Sequence, residues 1–74
     1  MGQIRNDILL KKISNKLKYL REQKGVSQQE IYNDIDINIG RIESIEANIS
    51  VSTLSKLCEY FEISLADFFK QIHC

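Results

Sequence analysis

Apolar residues recur along this chain at helical rather than strand spacing. Leu9, Ile13, Leu17 and Leu20 are separated by four, four and three residues, one face of a 3.6-residue period. That run predicts a first helix over about residues 6–24, with Lys11, Lys12, Lys16 and Lys18 on its other side. Gly25 then supplies a residue able to adopt a left-handed stop. Ser27-Gln28-Gln29-Glu30 is a capping box and predicts a second helix over 28–35, with Ile31 and Ile35 four apart. Asn38 is the expected N-cap of a third helix over about 39–47, facing Ile42 and Ile45 inward, with Asn48 as its left-handed C-cap. Ser50 opens a fourth helix over 51–61, in which Leu54, Leu57, Cys58 and Phe61 share a face. Ser64-Leu65-Ala66-Asp67 opens a fifth over 65–72, in which Leu65, Phe68, Phe69 and Ile72 repeat the spacing. Ile35 to Ile39 alternates in strand fashion, but five residues between capped helices build no sheet alone. The expectation is an all-α domain of five helices spanning residues 1–74.

Composition narrows the class. The chain has 74 residues, 43% apolar and 27% charged, with no Pro to interrupt a helix. No apolar run reaches membrane-spanning length, and the start Met1-Gly2-Gln3-Ile4-Arg5-Asn6 has neither the apolar core of a signal peptide nor a myristoylation pattern. Two cysteines, Cys58 and Cys74, make no disulfide framework and fit a reducing, cytoplasmic setting. With His73 as the lone histidine, neither a metal nor another cofactor is implied.

Charge complicates the picture. Ten basic residues balance ten acidic ones, which removes the simplest argument for nucleic-acid binding. The balance is uneven along the chain. Residues 1–25 hold seven basic and two acidic groups, whereas residues 26–54 hold Arg41 alone against Glu30, Asp34, Asp36, Glu43 and Glu46.

Two short helices joined by a tight turn behind a longer first helix make a helix-turn-helix unit. The stretch Leu20-Arg21-Glu22-Gln23-Lys24-Gly25-Val26-Ser27-Gln28-Gln29-Glu30-Ile31 resembles the end of helix one, the glycine turn and the start of helix two in the Xre and phage Cro/repressor-type helix-turn-helix family. Ile42-Glu43-Ser44-Ile45-Glu46 looks like that family's third helix, and Ser52 to Phe69 like its fourth and fifth. The resemblance covers about residues 10–70 and implies a lambda-repressor-like fold that binds double-stranded DNA. It implies that Gln28 contacts the DNA backbone and that Asn38, Ile39, Gly40 and Arg41 form the exposed start of the recognition helix, with Ser44 within reach. Arg41 would then donate to guanine O6 and N7. Gly40, which costs about 1 kcal/mol against Ala inside a helix, either admits a close approach or is incidental.

The resemblance also implies an ion pair between Arg21 and a glutamate of helix three. Two registers compete. An ungapped count from Ser27 makes Glu46 the partner and is preferred, because it leaves Asn38 and Asn48 as caps. A count back from Ser52-Thr53-Leu54 makes Glu43 the partner and puts Ile45 at a helix-ending position usually held by glycine.

The expected function is a sequence-specific transcriptional regulator, a prokaryotic or phage repressor that reads a palindromic operator as a homodimer. Phe68, Phe69 and Ile72 are its candidate dimer surface, since so small a domain has difficulty burying its whole last helix. The competing reading is a helix-turn-helix-derived interaction module, antitoxin-like or an assembly subunit, with weak or lost DNA binding. No nucleophile–base pair, glycine-rich phosphate loop or small-molecule pocket is legible, so catalysis is not expected.

Overall fold

The computed structural model describes residues 6–72; Met1–Arg5, His73 and Cys74, and the readings that rest on them, lie outside the described residues. Five helices follow in order: α1 Asp7–Lys24, α2 Gln28–Ile35, α3 Ile39–Glu43, α4 Val51–Tyr60 and α5 Leu65–Gln71. No strand occurs among the described residues.

Short polar side chains start every helix. Asn6, Ser27, Asn38, Ser50 and Ser64 each accept a hydrogen bond from the amide three residues on, which satisfies a donor that the helix cannot. At Ser27 the box is reciprocal, because Glu30 reaches back to the Ser27 amide at 3.2 Å. Helix one stops at Gly25, whose φ of 74° is left-handed and whose amide donates to the Arg21 carbonyl at 3.0 Å.

The core gathers one face from every helix. Leu17 of α1, Ile31 of α2, Ile39 of α3, Leu57 of α4 and Phe68 of α5 are wholly inaccessible. Full burial of such a side chain contributes about 1.5–3 kcal/mol. Ser14 is the one polar residue buried as a whole among the described residues, and its hydroxyl donates to the Ile42 carbonyl at 2.6 Å.

Helix three departs from expectation. It ends at Glu43, four residues early, and the left-handed residue is Ile45 (φ 61°), not Asn48. The Ile42 carbonyl, which a longer helix would present to the Glu46 amide, accepts instead from Ser14 and from the Ile45 amide. The Glu46 amide turns back to Arg41 at 2.9 Å, the six-to-one bond that closes a Schellman-type end.

Candidate nucleic-acid interface

One guanidinium ties both helix three and the α1–α2 turn to helix one. Arg21 donates from Nε to Glu43 Oε2 at 2.8 Å and from Nη2 to Glu43 Oε1 at 3.2 Å. Its third donor, Nη1, reaches the Val26 carbonyl in the α1–α2 turn at 3.1 Å. The two parallel bonds to one carboxylate have the fork geometry that makes such pairs strong. Both side chains are largely withdrawn from water, at 15% and 6% exposure. The hydrogen bond to Glu43 pushes the Arg21 guanidinium above its ordinary range, so it stays charged.

The register expectation is thereby corrected. Arg21 pairs with Glu43, and Glu46 stands exposed beyond the end of α3. Once Ser14 and Arg21 have engaged residues 42 and 43, the helix has no further turn in which residue 46 could face α1.

Gln28 joins the same cluster. Its Nε2 donates to Glu43 Oε1 at 3.0 Å. Its Oε1 lies over Gly40, where a Cβ would stand 2.9 Å away. The glycine therefore has a reason inside the protein: its bare backbone accommodates the Gln28 amide.

Of the other residues singled out on helix three, Asn38 is exposed and its Oδ1 accepts from the Arg41 amide at 3.4 Å. Arg41 is exposed. Ser44 is exposed at the C-cap, its hydroxyl donating to the Arg41 carbonyl at 3.2 Å. Ile39 does not belong with them, since its side chain is wholly buried in the core. Alternation of apolar and polar residues from Ile35 to Ile39 was the available signal that Ile39 points inward.

A shallow groove on this surface is lined by Gln28, Gln29, Tyr32 and Asn38. Gln29 and Tyr32 were not anticipated. Tyr32 follows Gln28 by four residues and so shares its face of α2, which was the signal available. Tyr32 is 48% exposed.

The proposed dimer residues divide. Phe68 and Ile72 are buried in this chain's own core and cannot form a second surface. The small domain does bury this face of α5, by packing it on α4 and into the common core. Phe69 is half-buried at the edge of an apolar groove.

A family model described as a helix-turn-helix domain matches residues 14–72. The all-helical, five-helix architecture of the described residues agrees with a lambda-repressor-like fold. No curated protein and no solved structure gives a significant match.

Proposed function

The chain belongs to the helix-turn-helix domain family, and on that premise we propose that it is a sequence-specific DNA-binding transcriptional regulator. The observation that carries this reading is the Arg21–Glu43–Gln28 cluster. It fixes α3 relative to α2 while leaving Arg41, Asn38 and Ser44 on the outside. Arg41 reads a guanine edge, and Gln28, Gln29 and Tyr32 follow the neighbouring backbone.

Within this proposal the protein is a cytoplasmic repressor of the Xre and Cro/repressor type. It binds a palindromic operator as a homodimer and represses by occluding the site. Residues 26–54 carry one basic group against five acidic ones, and phosphate neutralisation dominates non-specific affinity. Two copies on two half-sites double the few favourable contacts each protomer makes.

The same acidity favours the second reading, an interaction module that has lost DNA binding. One titration separates the two: fluorescence anisotropy against the DNA upstream of the protein's own gene, at two salt concentrations. Binding that weakens with salt, and that falls by about 1–3 kcal/mol for Arg41→Ala, supports the regulator. Equal affinity for unrelated DNA at both salts rejects it.

A further inference from the structure

Two amide oxygens on the helix-turn-helix surface converge on one spot. A Cβ at residue 40 would have Gln28 Oε1 at 2.9 Å and Asn38 Oδ1 at 3.3 Å as its nearest neighbours. With glycine there, the spot holds no side chain. Gln28 and Asn38 are both exposed, and with Gln29 and Tyr32 they line one shallow groove.

Hydrogen bonds set the direction of both amides. Gln28 Nε2 donates to a carboxylate oxygen of Glu43 at 3.0 Å, and a flipped amide would set oxygen against oxygen. Asn38 Oδ1 accepts from the Arg41 amide at 3.4 Å, which turns its oxygen inward over α3. An amide oxygen has two lone pairs, so capping leaves Asn38 Oδ1 able to accept again. Both anchors, the Glu43 carboxylate and the Arg41 amide, belong to α3, so the two acceptors are tied to that helix.

A pair of acceptors calls for a donor. DNA phosphates only accept, so these oxygens do not serve the backbone. In the major groove the donors on base edges are adenine N6 and cytosine N4, whereas guanine and thymine present acceptors.

Resting on the DNA-binding reading above, we propose that the space over Gly40 receives the exocyclic amino group of an adenine or a cytosine, held by Gln28 Oε1 and Asn38 Oδ1. Gln28 then has two duties: its second Nε2 proton is left for a phosphate, and its oxygen reads a base. Gly40 is a specificity-determining position, because the missing side chain admits the amino group. Arg41 donates to one base, and the space beside it accepts from another.

The test starts from selection of duplexes by the parent protein from a randomised library. In the best-bound duplex each adenine in turn is replaced by purine and each cytosine by 2-pyrimidinone, which deletes the amino group alone. Fluorescence anisotropy should show binding weakened about fivefold or more at one position of the site. Whether that position holds adenine or cytosine identifies the base. Gly40→Ala, which fills the space, should bind the intact and amino-deleted duplexes equally, and Gln28→Ala should lose most of the difference. Asn38→Asp keeps both the cap and the acceptor oxygen and should keep the preference. Thermal melts establish that each variant is folded. A parent protein indifferent to every amino deletion, or a Gly40→Ala protein with the parent's full discrimination, would overturn this inference and leave the regulator reading standing. A parent protein that selects no sequence would overturn both.

Discussion

Arg21 and Glu43, 22 residues apart in sequence, form a two-bonded ion pair that joins the end of helix one to the end of helix three. Because both groups are largely desolvated, removing one charge leaves the other uncompensated. Glu43→Gln should cost about 3 kcal/mol in urea unfolding, whereas Glu46→Gln should stay within about 0.5 kcal/mol of the parent. Equal effects of the two substitutions would contradict the pairing.

Gly40→Ala sets two effects against each other. Alanine gains about 1 kcal/mol of helix propensity, but its Cβ would meet Gln28 Oε1 at 2.9 Å. The flexible amide can swing away, losing its bond to Glu43. Stability should therefore change by under about 1 kcal/mol, while the Gln28 side-chain amide protons shift in NMR spectra. In a Gln28→Ala background only the 3.3 Å approach to Asn38 Oδ1 remains, and the same change should be more favourable than in the parent.

Among the described residues, three that are not glycine, Asp36, Ile45 and Glu62, sit in the left-handed region. That conformation costs an L-residue about 1–2 kcal/mol. Glu62 is exposed, so Glu62→Gly sacrifices little packing and should stabilise by about 0.5–1 kcal/mol after the entropy that glycine loses. In a domain of this size the thermal midpoint should rise by a few degrees. Ile45 is half-buried, and Ile45→Gly should gain less. A fall in midpoint for Glu62→Gly would show that its side chain contributes more than its strain costs.

Tyr60 donates its phenolic proton to Asp34 Oδ2 at 2.8 Å. That hydrogen bond, with smaller help from desolvation and carboxylate charge, raises the Tyr60 pKa above its ordinary 10.0. The folded state holds this proton more tightly than the unfolded chain does. The associated stability is fully present below pH 10 and lost as pH rises through the folded value. Tyr60→Phe should unfold less steeply with pH above 10, after subtraction of its lower starting stability. Parallel alkaline unfolding curves for the two proteins would count against this linkage.

The elements most legible in the sequence are those with local causes. Capping residues at Ser27, Asn38, Ser50 and Ser64 act within three residues, and the apolar spacing of α1, α4 and α5 reports a face directly. Helix three resisted because its end is decided from a distance. Ser14 and Arg21, both on α1, claim the Ile42 carbonyl and the Glu43 carboxylate. Neither claim leaves a trace in residues 39–47 themselves. The site was legible in type, as a helix-turn-helix with Gln28 and Arg41 on its surface. Ile39 was misplaced because exposed Asn38 and Arg41 flank it in sequence while its own side chain completes the core. Phe68 and Ile72 were misplaced because α4 and the common core cover more of α5 than the chain's length suggests.

The Ser14 hydroxyl has a kinetic meaning as well as a structural one. A five-residue helix is far below the length at which a helix persists alone in water. Segment 39–43 therefore acquires its shape only when a docked α1 supplies Ser14 and Arg21 from 28 and 22 residues away. Helix three is therefore expected to assemble late, once its neighbours are in place. Substitutions that weaken it should hasten unfolding while leaving the folding rate almost unchanged.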